Sequence, residues 1–138
     1  MIEAELTTLV LADDDVEALV GTRMYPIIAP QNSTLPYIIY RRLSTSRPTT
    51  HDDSAGYAQA IVQLTVWADK YDEAKGLAEE VRQVLDCYNA NDWDNYDVSG
   101  VLVLDEKDVA SLPEAAGEVP LFGVQLDVEV MFSEPQEA

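Results

Sequence analysis

The sequence predicts an α+β domain: an antiparallel-rich sheet with helices packed on one face, two short N-terminal helices and one main helix. Three observations carry that prediction. Tyr57 to Ala68 and Phe122 to Phe132 each alternate apolar and polar residues with period two. That is the pattern of half-buried antiparallel strands. Between them, Ala74, Leu77, Ala78, Val81, Val84, Leu85 and Tyr88 form one apolar stripe at helical spacing. A chain of 138 residues with a 47% hydrophobic fraction suits one cored domain over 1–138.

The remaining elements follow in chain order. Ile2, Leu6, Leu9 and Val10 predict a short amphipathic helix over 2–11. Asp13, Asp14 and Asp15 then cap a second short helix carrying Val16, Leu19 and Val20, which Gly21 ends. Met24 to Ile28 reads as a short extended piece. Ala29 to Pro36 is a turn-rich link, and Tyr37 to Leu43 is a strand. Ser44 to Gly56 reads as a polar loop with Pro48. After Tyr57–Ala68, Asp69 caps the main helix, expected over 71–89 and lying across the sheet. Asn89 to Tyr96 reads as a polar turn and Val98 to Leu104 as a strand. Asp105 to Pro120 reads as a second long loop with Pro113 and Gly117, and the tail from Ser133 is expected to fray.

Charge narrows the function. Eight Lys+Arg against 26 Asp+Glu leave a formal net charge of −18. Binding nucleic acid through phosphates, or an anionic membrane surface, needs the opposite sign. Such acidity fits a solvated surface, a face for a basic partner, a DNA passage or a high-salt host. Cys87 is the sole cysteine, so no intrachain disulfide forms, and a buried inert thiol is expected. The acidic start Met1-Ile2-Glu3-Ala4-Glu5 does not read as a signal peptide, and no apolar run has the length of a membrane span. A cytoplasmic protein, or one in a particle built there, is expected.

No catalytic constellation emerges. His51 beside Asp52 and Asp53 has no partner nucleophile motif, so a solvated loop histidine is the expected role. Asp92, Asp94, Asn95 and Asp97 suggest a calcium loop, but Tyr96, Asp97 and Val103 occupy the positions that need a ligand, Gly and Glu. Consecutive Asp13–Asp15 cannot converge on one ion without other ligands. There is no GxGxxG, P-loop or CxxC. The expectation is no enzyme, no cofactor and no metal.

The candidate functional residues are therefore interface residues. Arg41, Arg42 and Arg47 form the one basic concentration. On a strand, Arg41 and Arg42 point to opposite faces, and either could pair an acidic neighbour. Ile61 and Trp67, with Tyr57, lie on the more polar face of their strand, so a helix or a partner covers it. Large aromatics beside Arg suit an interface anchor. The loops 44–56, with His51, and 105–120, with Leu112 and Pro113, are the candidate partner-binding loops.

Arg23-Met24-Tyr25-Pro26, Ala29-Pro30-Gln31 and Leu35-Pro36-Tyr37-Ile38-Ile39-Tyr40 resemble the opening signature of phage tail-completion proteins. Val62 to Ala68, then Tyr71, Glu73-Ala74, Leu77-Ala78, Val81-Arg82 and Leu85, are similar to the strand and helix that follow it in that family. The likeness spans residues 5–88. Cys87 to Val98 and the loop 105–120 depart from the pattern in length and acidity.

The resemblance implies a structural virion protein that caps the head-proximal end of a tail tube as a ring, usually of six subunits. One face of the ring would meet the major tail tube protein. The other would meet a neck or head–tail connector protein, and DNA would pass through the lumen without specific binding. A ring needs heterologous contacts between unlike patches. Repulsion from acidic residues at the lumen would keep passing DNA from sticking. The competing readings are a head-completion or neck protein of the same particle, and an acidic DNA mimic that inhibits a basic partner.

Overall fold

The computed structural model describes residues 2–30, 33–47, 57–86, 97–111 and 120–133. Helices α1 (Ile2–Leu11) and α2 (Asp14–Val20) lead into strands β1 (Met24–Pro26), β2 (Tyr37–Ser46) and β3 (Tyr57–Ala68). Helix α3 (Tyr71–Asp86) and strands β4 (Asp97–Ser111) and β5 (Leu121–Ser133) complete the order. One five-stranded sheet has the order β1-β2-β3-β5-β4. Among the described residues only β1 pairs in parallel, with β2; every other pair is antiparallel. The fold is α+β, as the periodicities predict. Cys87, Tyr88, the whole turn expected over 89–96 and the tail after Ser133 lie outside the described residues.

The core lies between the helices and one face of the sheet. Every second residue of β3 from Ala58 to Ala68 is fully buried, as are Val124, Leu126, Val128 and Val130 of β5. The register joins these rows directly: Val62 faces Val128, and Leu64 faces Leu126. Above them α3 buries Ala74, Leu77, Ala78, Val81 and Leu85. Small alanines on both layers let the helix approach the sheet closely, and larger aliphatics fill the flanks. Helices α1 and α2 extend the layer with Ile2, Leu6, Val10, Val16 and Val20.

Polar contacts fix the helices to the strands. The Asp13 carboxylate accepts the Val16 N–H at 3.1 Å and caps α2. Arg23 closes the other end of α2, donating to the Leu19 carbonyl at 3.1 Å and to the Pro36 carbonyl at 3.0 Å. One guanidinium thus satisfies a helix C-terminus and holds the start of β2 beside it. The Ile38 N–H donates to the Arg23 carbonyl at 3.0 Å and opens the parallel pairing. At the far side of the sheet, Tyr71 donates to Asp108 at 2.8 Å and Lys75 bridges the same carboxylate at 3.0 Å. Tyr71 also meets Phe122 edge-on at 6.3 Å.

The structure corrects the loop expected over 105–120. Asp105 to Ser111 continues β4, in register with Asp127 to Leu121 of β5. Charged Asp105, Glu106, Lys107 and Asp108 disfavour a central strand. An edge strand keeps them solvated, so the pairing survives. Strand β2 likewise runs three residues beyond the predicted Leu43, to Ser46. Both extensions pass through a register shift, between Arg42 and Ser44 in β2 and between Val103 and Asp105 in β4. The extra residue breaks the simple alternation that sequence reading relies on.

Two glycines give opposite expectations on gaining a methyl group. A Cβ on Gly123 would stand 2.7 Å from the Val66 carbonyl oxygen and 2.9 Å from the Trp67 ring. Gly123→Ala is expected to lower stability by about 1–3 kcal/mol, read from urea denaturation. A Cβ on Gly76, inside α3, meets nothing within 4 Å. Gly76→Ala is expected to raise stability by about 0.5–1 kcal/mol in the same assay.

The Tyr71 hydroxyl and the Lys75 ammonium hold the Asp108 carboxyl below its ordinary value of 3.8. That contribution is present above about pH 4 and is lost as pH falls through the lowered value. Bonding to Asp108 raises Tyr71 and Lys75 above their ordinary 10.0 and 10.5. Their contribution is present below about pH 10 and is lost as pH rises through the raised values. The stability difference between the protein and Asp108→Asn is therefore expected to be flat from about pH 5 to 9 and to shrink on both sides. A series of thermal melts against pH measures it.

Candidate functional site

Because the helices cover one face only, the other face of the sheet stays partly open. Its central residues, Ile39, Gln63, Thr65, Trp67, Gln125, Asp127 and Glu129, are half-buried. Arg41 and Arg42 diverge as adjacent strand residues must. Arg42 turns toward the helices, donates to Glu3 of α1 at 2.6 Å and to Thr45 at 2.9 Å, and forms an ion pair with Glu3. Arg41 turns to the open face and donates to Gln63 at 3.4 Å, while Gln63 donates to Asp127 at 3.3 Å. These three residues occupy one row across the sheet, since Arg41 pairs with Gln63 and Gln63 with Asp127. The row ends on a fourth member, because Asp127 pairs with Asp105 on β4.

Trp67 owes its position to glycine. It faces Tyr37 on one side and Gly123 on the other. With no side chain at Gly123, the indole lies across β5. Tyr37 stacks edge-on against Tyr25 at 6.1 Å, and burial, then the neighbouring Tyr25, raises its hydroxyl above 10.0. Ile61 stands level with Ser44 and Glu129, and Tyr57 begins β3 opposite Ser133. The structure thus places Arg41, Ile61 and Trp67 together on the open face. Arg42 serves the helix layer instead. Arg47 is exposed just beyond the end of β2. His51, Leu112 and Pro113 lie outside the described residues.

The sheet edges hold features that sequence reading missed. Ile27 and Ile28 are 64% and 75% exposed. Ile27 has φ 65° and sits at the centre of a three-residue turn closed by the Ile28 N–H on the Pro26 carbonyl at 2.6 Å. A β-branched residue in that region is strained by about 1–3 kcal/mol. The turn projects Ile27 between two clefts. One, of about 240 Å³, opens on the sheet face along Ile39, Arg41, Gln63, Thr65 and Trp67. The other, of about 260 Å³, lies at the sheet edge between Glu3, Pro26, Tyr40, Arg41 and Arg42. Leu43 and Leu104, the extra residues at the register shifts after Arg42 and after Val103, are 43% and 49% exposed, and Leu102 is 52% exposed. Apolar residues at a strand's irregular point give no alternation signal, so only the pairing reveals them.

One acidic cluster forms through folding. Helix α3 brings Glu80 to Asp13 and Asp15, with their ligand atoms all within 4.8 Å of one another. Asp13 is engaged in capping α2. Convergence of carboxylates is unsurprising in a chain of net charge −18. What the open face and edges bring together is apolar area and hydrogen-bonding capacity, the makings of a protein-binding surface.

Among the described residues no helix is long and apolar enough to cross a membrane. A search of curated proteins returns no match. Among solved structures, the chain is similar to a protein of the virion of a native gene transfer agent particle. Identity is 20% and the TM-score 0.69, over 93% of this chain and 91% of that one. A likeness to the gp17 protein of bacteriophage SPP1 has 15% identity and a TM-score of 0.48, over 99% of this chain and 90% of that one. The family model of the tail completion protein gp17 matches residues 4–109, which include nearly all of α1, α2, the first three strands, α3 and most of β4. This protein therefore belongs to the gp17 tail completion family, structural proteins of phage-type tails.

Proposed function

We propose that the protein closes the head-proximal end of a tail tube as a ring and joins the tail to the neck. The observation that carries this reading is a sheet that, among the described residues, is fully buried on one face and half-buried on the other, in a chain of the tail completion family. An open face and unlike edges give each subunit several distinct patches. A capping subunit needs that number, for its two ring neighbours, the tube below and the neck above. The partners proposed are further copies of this chain, the major tail tube protein and a head–tail connector protein. DNA would pass through the lumen, where the part of the chain's net charge of −18 that faces inward would repel it.

The same surface would suit a head-completion or neck protein of the particle. Family membership favours the tail end. An acidic inhibitor that mimics DNA shares the charge but has no use for a tail completion fold.

Deleting the gene from its particle-producing genome tests the reading. Electron microscopy is expected to show full heads without tails and tubes of uncontrolled length. Supplying the protein in trans is expected to restore joined particles. Tailed particles of normal length in the deletion would overturn the proposal. Leaking heads with normal free tails would favour the head-completion reading.

A further inference from the structure

The two lateral edges of the sheet are unlike each other, and they match. On one side, β1 covers only Ile38 to Tyr40 of β2, so among the described residues Arg41 to Ser46 have no strand neighbour outward. On the other side, β4 pairs with β5 alone among the described strands, so its outer edge is open from Asp97 to Ser111. In the open part of β2, Arg42 is already paired with Glu3, whereas Arg41, on the open face, makes a long, exposed hydrogen bond to Gln63 at 3.4 Å. On β4, Asp108 is already held by Tyr71 and Lys75, which leaves Asp105 and Glu106, beside Lys107, as the acidic residues offered along this edge. Each edge also has exposed leucine, Leu43 on β2 and Leu102 and Leu104 on β4.

We propose that the β4 edge of one copy docks on the open half of the β2 edge of the next, joining their sheets head to tail. The proposal rests on the ring reading above and names the surfaces that would form the ring.

Register supports the match. Arg41 stands level with Gln63, Asp127 and Asp105 across the sheet, and Ser46 with Gln59, Met131 and Gly100. A ring repeats every copy at one height. For strands running near the ring axis, Arg41–Ser46 of one copy then faces Gly100–Asp105 of the next. Leu43 meets Leu102 and Leu104, and Arg41 meets Asp105. Three antiparallel steps separate β2 from β4, so the new pair is antiparallel and keeps all helices on one side. The notch where β1 ends, between Pro26, Tyr40 and Arg41, gives a neighbour's leucine a place to seat.

A second observation asks for the same cation. Asp105 and Asp127 are direct cross-strand neighbours, an arrangement that destabilises a sheet. Gln63 donates to Asp127, while Asp105 accepts the Glu106 N–H at 3.0 Å. Arg41 from the next copy would offset this repulsion. The register shifts at both edges restrict the shared ladder to a few bonds, so side chains supply much of the contact.

The test uses thiol cross-linking and charge reversal on the full chain. In a Cys87→Ser background, Leu43→Cys and Leu104→Cys are purified separately, then mixed with a short bismaleimide. The mixture is expected to give dimer at about ten times or more the yield of either variant alone. Equal yield from either variant alone would show a two-fold contact and overturn the proposal. In the native chain, Arg41→Glu and Asp105→Arg are each expected to weaken self-association about tenfold or more, and together to recover it. Oligomers in light scattering that ignore both reversals and give no mixed cross-link would overturn these edges while leaving the ring reading intact. A chain that stays monomeric at every concentration, without cross-link, would overturn both.

Discussion

The fold depends on one contact, the packing of α3 onto the paired faces of β3 and β5. That face is a ladder of apolar residues with no polar interruption, from Ala58 to Ala68 on one strand and Val124 to Phe132 on the other. Burial of apolar area there is the main favourable term, because the polar contacts described for the domain lie at or near its surface. Alanines at Ala58, Ala60, Ala74 and Ala78 set how near the helix comes. The other elements are arranged around this contact. Strands β2 and β4 flank it, and α1 and α2 extend the helix layer over the edge that α3 does not reach.

Burying one face has a consequence for function. A sheet with a single helix layer leaves the opposite face to water or to a partner. Here that face mixes Trp67, Ile39 and Ile61 with a hydrogen-bonded row of Arg41, Gln63 and Asp127. Neither a dry core nor a fully solvated surface has that composition. The edges repeat the theme, with charged residues that keep the strands soluble and isolated leucines that invite contact. A protein that must stay soluble until it meets its place in an assembly needs both.

The few basic residues are used with economy. Arg23 joins α2 to β2, Arg42 joins α1 to β2, Lys75 joins α3 to β4, and Arg82 bridges Glu79 and Asp86 along α3. Most of these cations tie one element to another. In a chain of net charge −18 they are the local exceptions that let acidic elements pack together. Arg41 differs, since its hydrogen bond to Gln63 is long and exposed.

The sequence by itself determined the fold class, the strands β3 and β5, the helix α3 and both short N-terminal helices. Each of these has a buried face that imposes a period of about 2 or 3.6 on its apolar residues, and that period is readable without coordinates. It also determined that Arg41 and Arg42 diverge, because adjacent strand residues always do. Tertiary structure alone decided the rest. The extent of β4 was hidden because an edge strand tolerates charge and a register shift erases alternation. The partner of Arg42 stands thirty-nine residues away at Glu3, a contact that only the packing of α1 on β2 creates. The strand order, and with it the meeting of Trp67 with Gly123 and the unlike edges at Arg41 and Asp105, comes from long-range pairing that no local pattern encodes.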